Sequence, residues 1–431
     1  MSGRPDVVVC GGGAAGLAAA LALGRRGLDV VVLEKRRDTP ALAKGEVLQP
    51  PAVRVLGAWG VLDGLRGRGA APLSRVVIRD ACGTATMAFE YGTLPAGYTS
   101  LLAAEHPAIL GALADGLPDG VEFRRGAVVE GLLRDASGRV RGVRIREGGR
   151  RHDQPCALVV AADGVSSRLR REARIPAAPH AYPHRLVAWE CPGPPPRPDE
   201  VTAYDTVDGL RLVYPLPGAR TRLYAQVTEG ELRGTHGAGP WAALLARGVP
   251  ELGPLAGRLR GDDTRQTFAL RRFVAPSLAV PGLVLVGEAA HAVHSLAAQG
   301  MNTALADAEA LARHLGAAGV DGPRSVDRAL RGYEAERLPW IRHVDRLSHE
   351  AVGMVIGAAW PSRVLARRAL ERIRRSPRMT HTATYNLAGL GIRPFRALDR
   401  LHQLGLPDPR AGLVPDWPPA LAPAAAPRER E

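Results

Sequence analysis

Residues 7–34 read VVVCGGGAAGLAAALALGRRGLDVVVLE, and this stretch decides the fold. Residues 7–10 are a short apolar run typical of a buried strand, and a glycine-rich turn follows them. The alanine- and leucine-rich segment 17–26 has the composition of a helix, and Gly27 ends it. A second apolar run occupies 29–33. Strand, helix and strand in this order predict a βαβ unit, which favours a parallel sheet.

The glycines of the turn have the spacing Gly11-x-Gly13-x-x-Gly16. The first allows a tight turn, the second leaves room for a pyrophosphate, and the third allows helix and strand to pack closely. Glu34 ends the second strand, where a carboxylate can accept hydrogen bonds from a ribose diol. The pattern predicts a dinucleotide site and does not distinguish FAD from NAD. Its expected contacts are Gly11, Gly13, Ala14, Ala15, Gly16, Glu34 and Lys35.

Composition narrows the class of protein. The 431 residues favour two or three domains. The net charge is +14. Lys35 and Lys44 are the only lysines, so arginine supplies the rest of the 57 basic residues. Such an excess of arginine is typical of proteins from GC-rich genomes. No zinc-finger, basic-heptad or RNP pattern accompanies it, so no nucleic-acid partner is expected. The four cysteines form no C-x-x-C pair, which predicts reduced thiols, no metal site and a cytoplasmic location.

Beyond residue 34, strand-like and helix-like segments are interleaved. The predicted elements are β-like runs within 75–99, a helix over 101–117, a β-meander over 121–147 that turns at Ser137-Gly138, a buried strand at 158–161, antiparallel strands over 185–230, a buried strand at 283–286, and helices from 299 to about 350. The predicted fold class is α/β, a Rossmann-like domain interleaved with an antiparallel β-sheet domain and followed by C-terminal helices.

Two further motifs each follow a predicted buried strand. They are Asp163-Gly164 with Ser167 and Arg170, and Gly287-Glu288-Ala289-Ala290-His291 with Gly300-Met301-Asn302 beyond it. Together with the first glycines, they resemble the motifs of the single-component flavoprotein aromatic hydroxylases, the family built like p-hydroxybenzoate hydroxylase. Tyr333-Glu334-x-x-Arg337-x-Pro339 is similar to the helix that closes the flavin domain there, so the resemblance covers roughly residues 5–345.

This resemblance implies an FAD cofactor, NAD(P)H as a transient reductant, and transfer of one atom of O₂ through a flavin C4a-hydroperoxide. The substrate would be an organic small molecule, in first place an aromatic one. The resemblance places residue 288 at the ribityl chain and 300–302 against the isoalloxazine ring. The implied contacts beyond the first motif are Lys44, Asp163, Gly164, Arg170, Gly287, Glu288, Gly300, Met301 and Asn302.

The interleaving of α/β segments with antiparallel β segments also predicts a division into domains. The expected parts are a discontinuous FAD-binding domain (1–74, 100–180 and 270–350), a substrate domain (75–99 and 181–269), a C-terminal helical region (351–406) and a flexible tail (407–431). Arginines crowd 363–378, so membrane contact at 351–378 is weighed against a helix packed on its own domain, and the packed helix is favoured. The expected oligomeric state is monomer or homodimer.

Departures from the family pattern cluster near the expected flavin. Glu288 stands where the family has Asp, and Lys44 stands near an arginine that contacts the cofactor there. His294 and Ser295 replace prolines. A histidine can deprotonate or orient a substrate hydroxyl, so His294 is the candidate catalytic residue, against the alternative that it only satisfies a loop.

Three further functions stay open at this point. The same scaffold could serve an FAD-dependent reductase or dehydrogenase of an alkene-type substrate. It could epoxidise an alkene instead of hydroxylating a ring. It could also bind flavin for a partner protein without turnover. A halogenase is disfavoured, because the chain has no Trp-x-Trp-x-Ile-Pro segment.

Overall fold

The structure is a computed structural model that describes residues 4–39, 44–259, 265–355 and 360–418. Its strands are β1 (Val7–Cys10), β2 (Val30–Glu34), β3 (Val47–Leu48), β4 (Ala71–Leu73), β5 (Arg75–Arg79), β6 (Ala85–Glu90), β7 (Leu101–Ala103), β8 (Val121–Arg125), β9 (Val128–Arg134), β10 (Val140–Glu147), β11 (Arg150–Pro155), β12 (Leu158–Ala161), β13 (His180–Pro192), β14 (Glu200–Thr206), β15 (Gly209–Leu216), β16 (Arg220–Val227), β17 (Gln266–Val274), β18 (Ala279–Val280), β19 (Leu283–Leu285) and β20 (His291–Ala292).

The helices fill the connections between strands and the C-terminal part of the chain. They are α1 (Ala14–Gly24), α2 (Pro50–Ala58), α3 (Leu62–Gly67), α4 (His106–Asp115), α5 (Arg168–Glu172), α6 (Glu229–Gly234), α7 (Ala238–Ala246), α8 (Gly253–Ala256), α9 (Gly300–Ala318), α10 (Pro323–Val355), α11 (Trp360–Arg375), α12 (Pro377–Leu387) and α13 (Ala397–Leu404). The predicted α/β class is confirmed.

A six-stranded sheet, in the order β18-β19-β12-β1-β2-β8, holds the first motif. β1 lies between β12 and β2 and is parallel to both, so the predicted βαβ unit is confirmed. The four residues of β1 are at most 1% exposed, because both faces of the sheet are covered. The carboxyl ends of β1 and β12 therefore carry the first and second motifs to one edge of the sheet.

Two of the predicted elements are wrong in part. Residues 101–103 form β7, which pairs with β3 and β4, and the helix predicted over 101–117 begins only at His106. The apolar run Leu101-Leu102-Ala103 suits helix or strand equally, and the neighbouring strands decide the outcome. Residues 121–125 form β8 at the edge of the parallel sheet, so the predicted meander starts only at β9.

The second large sheet has eight strands, in the order β20-β17-β13-β16-β15-β14-β5-β6. On one face, Trp189 packs against Trp241 of α7, with ring centroids 5.1 Å apart. The opposite face, called the inner face below, turns toward the FAD-motif half of the chain. It carries Leu186, Leu212, Tyr214, Tyr224 and Phe268, which pack with Val47 and Ala298.

The C-terminal helices pack on the far end of the inner face. Leu370 and Ile373 of α11 contact Ile78 and Met87, so these apolar residues of the basic helix pack against the rest of the protein. Within the described ranges, every helix is too short or too polar to span a bilayer. The tail expected to be flexible is described for residues 407–418, while 419–431 lie outside the described residues. Within it, the ring centroids of Trp417 and His381 lie 4.1 Å apart.

Candidate active site

The glycine turn after β1 is sterically defined at two of its three positions. Gly11 has φ +116°, and a Cβ there would lie 2.3 Å from the carbonyl oxygen of Ala162. A Cβ at Gly16 would lie 1.8 Å from the carbonyl oxygen of Gly11. A Cβ at Gly13, in contrast, would meet no atom within 4 Å. The backbone therefore requires glycine at positions 11 and 16, whereas Gly13 borders open space.

Open space also lies at the start of a second helix. α1 and α9 both begin without a side-chain cap, and a Cβ at Gly300, as at Gly13, would meet nothing within 4 Å. The first N–H groups of a helix need hydrogen-bond acceptors and favour negative charge. A pyrophosphate at α1 and an electron-rich flavin edge at α9 meet that need, so the residues present fit FAD.

Glu34 closes the first motif from the side of β2. Its carboxylate accepts hydrogen bonds from the N–H groups of Gly12, at 2.7 Å, and of Arg36, at 2.8 Å. These two donors fix the carboxylate beside the glycine turn, where the ribose contact is predicted. Lys35, also a predicted contact, is exposed.

The second motif is built around a helix cap. The carboxylate of Asp163 accepts from the backbone N–H groups of Arg168 and Leu169, at 2.8 and 3.1 Å, and from the Ser167 hydroxyl. Arg170 points inward and donates to the carbonyl of Ala289 at 2.7 Å. The side chain of Arg170 therefore joins the second motif to the third, which is a contact that its sequence position did not predict.

Asp307 is the residue that holds the third motif, and the sequence analysis missed it. Its buried carboxylate accepts from the N–H of Gly287 at 3.1 Å, from His291 at 2.8 Å and from Arg337 at 2.9 Å. Although burial alone raises the pKa of Asp307, the nearby His291 and Arg337 hold it below its usual range. An aspartate inside an alanine-rich helix is the signal that sequence reading could have used.

Lys44 and Glu288 meet each other in the structure. Their side chains form an ion pair, and both are about half exposed. The pair brings the loop of Lys44 to the third motif, 244 positions along the chain. His106, at the start of α4, lies beside the pair, and its Nδ1 has no hydrogen-bond partner among the described residues. Burial lowers the pKa of His106, so we add this residue to the candidate contacts.

Asn302 anchors the same loop instead of presenting its amide to open space. Its Oδ1 accepts from the N–H of Gln49 at 2.7 Å, and its Nδ2 donates to the carbonyls of Val47 and Ala298. Met301 lies against Gly45, which has φ +67° and where a Cβ would come within 2.9 Å of the methionine methyl. The backbone of 300–302, rather than the Asn302 amide, is therefore the part available to a ring.

His294 is 1% exposed and its ring nitrogens both have partners. Nδ1 accepts from the N–H of Leu296 at 3.1 Å, and Nε2 lies 3.1 Å from Nε2 of His184 on β13. Burial, together with the charges of His184 and His349, lowers the pKa of His294 to about 3. This arrangement links the segment after β20 to β13, and the low pKa makes His294 a weak proton acceptor near neutral pH. Ser295 is exposed and begins a short 3₁₀ turn.

The neutral state of His294 predicts a dependence of stability on pH. A histidine in the unfolded chain has a pKa near 6.5. Between about pH 6.5 and 3 the unfolded state therefore binds more protons than the folded state, so the free energy of unfolding decreases as the pH is lowered through this range. Between about pH 7.5 and 5 the wild-type protein should lose about 2 kcal/mol more unfolding free energy than His294→Gln. Urea unfolding at both pH values measures the difference. The exposed His152→Gln is the control and should behave like the wild type.

A second buried charge pair lies between the loop of Lys44 and the inner face. Arg222 of β16 donates from Nε and Nη2 to the two oxygens of Glu46, at 2.8 and 2.9 Å. The hydroxyl of Tyr214 donates to the same carboxylate at 2.9 Å and lies 3.3 Å from that of Tyr224. Sequence reading missed these residues, because their chemistry arises only where the loop meets the sheet.

Known proteins share both this sequence pattern and this fold. A family model for an FAD binding domain matches residues 4–348. The chain is 28% identical to 6-methylpretetramide 4-monooxygenase of Streptomyces rimosus, over 93% of this chain and 96% of that protein. It is 31% identical to protoasukamycin 4-monooxygenase of Streptomyces nodosus subsp. asukaensis, over 79% of this chain and 85% of that protein.

A solved structure agrees with the family match. PqsL of P. aeruginosa, solved in complex with 2-aminobenzoylacetate, superposes with a TM-score of 0.75 at 25% identity and covers 83% of this chain and 98% of its own. The family model spans most of the chain, and the three motifs meet around open helix ends that fit the cofactor. The chain therefore belongs to the single-component flavoprotein monooxygenases built like p-hydroxybenzoate hydroxylase, and it is an FAD-dependent monooxygenase.

Proposed function

We propose that this monooxygenase hydroxylates an aromatic small molecule with electrons from NAD(P)H. The observation that carries the proposal is the inner face. Its aromatic side chains Tyr214, Tyr224 and Phe268 belong to the same apolar cluster as Val47 and Ala298. Aromatic and apolar side chains with a few polar groups are typical of sites for small organic molecules. The names of relatives support the same substrate class, since one of them is a 3-amino-4-hydroxybenzoate 2-monooxygenase of Streptomyces platensis.

In the proposed reaction, NAD(P)H supplies two electrons and O₂ supplies the oxygen atom. One oxygen atom replaces a ring hydrogen as a hydroxyl, and the other leaves as water with the substrate hydrogen and a proton from solvent. FAD, when bound, passes the electrons to O₂ and activates it. The proposed cofactor contacts are the predicted ones, Gly11, Gly13, Ala14, Ala15, Gly16, Glu34, Lys35, Lys44, Asp163, Gly164, Arg170, Gly287, Glu288, Gly300, Met301 and Asn302, together with His106.

The chain supplies binding and exclusion of water. Gly13 and Gly300 leave space for the two ends of the cofactor, and Arg170 and Asp307 hold the motifs together. In this proposal, the packed inner face excludes water from the substrate ring, and the exclusion of water strengthens the polar contacts there. No side chain is assigned as a general base, because the low pKa of His294 makes it a weak proton acceptor and both of its ring nitrogens have partners.

Anaerobic mixing of the holoenzyme with NADPH or NADH, with and without a panel of phenols and quinols, tests the proposal. We expect the flavin absorbance to bleach, faster when a substrate is present, and ¹⁸O₂ to place one label in the product. Bleaching without label in any product would favour the reductase or dehydrogenase alternative. Absence of bleaching with every panel member would contradict both enzymatic functions. The cytoplasmic location and the monomeric or homodimeric state stay predictions.

A further inference from the structure

Both arginines that β16 places on the inner face are bound by carboxylates. Arg222 is held by Glu46, as described above. Arg220 donates from Nη1 and Nη2 to the two oxygens of Glu105, each at 3.0 Å. Glu190 of β13 joins the two pairs, since it lies 2.6 Å from Arg220 and 3.8 Å from Arg222. In each guanidinium, the two N–H groups that could bind an anion side by side therefore already donate to a carboxylate.

The cluster has more carboxylates than guanidinium groups. It contains three carboxylates and two guanidinium groups, so its net charge is −1 when all five are ionised. The side chain of Glu46 is 0% exposed and that of Arg222 is 5% exposed. Water therefore screens this pair weakly, and an anion nearby would meet carboxylates without a free guanidinium to bind it.

Glu46 comes from the same loop as Lys44. Its neighbour Gly45 lies against Met301, and Lys44 pairs with Glu288 of the third motif. The Glu46–Arg222 pair thus lies between the third motif and the inner face. The same face carries Tyr214 and Tyr224, whose hydroxyls adjoin the pair.

We propose that Glu46 is a specificity-determining residue, which neutralises Arg222 so that the site accepts an uncharged aromatic ring and rejects one with a carboxylate. This inference rests on the proposed aromatic hydroxylation. An uncharged phenol or amide leaves the cluster intact. A carboxylate would need the guanidinium that Glu46 already holds, and it would meet like charge instead.

Glu46→Gln tests the inference because it removes the charge and keeps the shape. The probes are matched pairs of ligands, 4-hydroxybenzamide with 4-hydroxybenzoate and salicylamide with salicylate. Dissociation constants of holoenzyme complexes are measured by equilibrium dialysis and by flavin absorbance changes. We expect the wild type to bind the amides more tightly. In Glu46→Gln, the ratio of carboxylate to amide affinity should rise at least tenfold.

The control variant is Glu200→Gln. Glu200 has a side chain that is 0% exposed and paired with Arg75 and Arg79 in the same sheet, on the face opposite to Glu46, so it reproduces the loss of a buried carboxylate. It should leave ligand preference unchanged. The double variant Glu46→Gln/Arg222→Gln has no unpaired charge, and it should keep amide binding without gaining carboxylates.

Several outcomes would overturn the inference. These are a wild-type preference for carboxylates, an unchanged ratio in Glu46→Gln, an equal gain in Glu200→Gln, or carboxylate binding by the double variant. The wild-type and double-variant results can still overturn the inference even if Glu46→Gln does not fold. Failure of the proposed hydroxylation would look different, because binding preferences would follow the expectation while substrates gave no NAD(P)H- and O₂-dependent product.

Discussion

Gly13→Ala is expected to leave the fold intact and to weaken FAD binding by about 100-fold, or about 2.7 kcal/mol. The added methyl group meets no atom within 4 Å in the protein, and Gly13 has φ −78°, which alanine adopts freely. Its effect should therefore fall on whatever occupies the open space. If that is the FAD pyrophosphate, the methyl group keeps the phosphates from the N–H groups of α1.

Two further variants separate cofactor loss from structural damage. Gly16→Ala places a Cβ 1.8 Å from a backbone oxygen, so it should destabilise the protein as well as lose FAD. Gly67→Ala also adds a methyl group to open space, at the end of α3, and should bind FAD as the wild type does. Fluorescence titration of the apoprotein with FAD and urea unfolding give the two readouts. Wild-type affinity in Gly13→Ala would refute a pyrophosphate site at α1.

Asp307→Ala should cost about 3–5 kcal/mol of unfolding free energy, the largest stability effect that we expect from a single side chain. The substitution leaves Arg337, which is 6% exposed, without its carboxylate. It also removes the acceptors for His291 and for the N–H of Gly287. Because Gly287 begins the third motif, the variant should lose FAD affinity too.

Urea unfolding of the apoprotein measures the stability loss without contribution from the cofactor. Asp63→Ala serves as the control, since its ion pair with Arg66 has an aspartate side chain that is 92% exposed, and no measurable change is expected. The pKa of Asp307 is lowered in the folded state, so its contribution should be present above about pH 4 and disappear as pH falls further. Equal losses in Asp307→Ala and Asp63→Ala would show that the buried network contributes nothing.

Local pattern was sufficient to predict the parallel sheet and the order of the motifs. Apolar runs such as 7–10 and 158–161 have no exposed face, and glycines at fixed spacing leave few backbone alternatives. Where the local pattern suits two structures, prediction failed. Residues 101–103 joined a strand because β3 and β4 offer them hydrogen bonds, which no local propensity encodes.

The sequence by itself determined the fold class and, through the resemblance of three ordered motifs to a known family, the cofactor class, because each motif is made of residues close together in the chain. Only the tertiary structure decided what the polar side chains do. It turned Arg170 inward to Ala289, joined His294 to His184, and set Glu46 against Arg222, 176 positions away. A buried charge must find a partner, and the partner is whichever group the packed fold brings within hydrogen-bond distance.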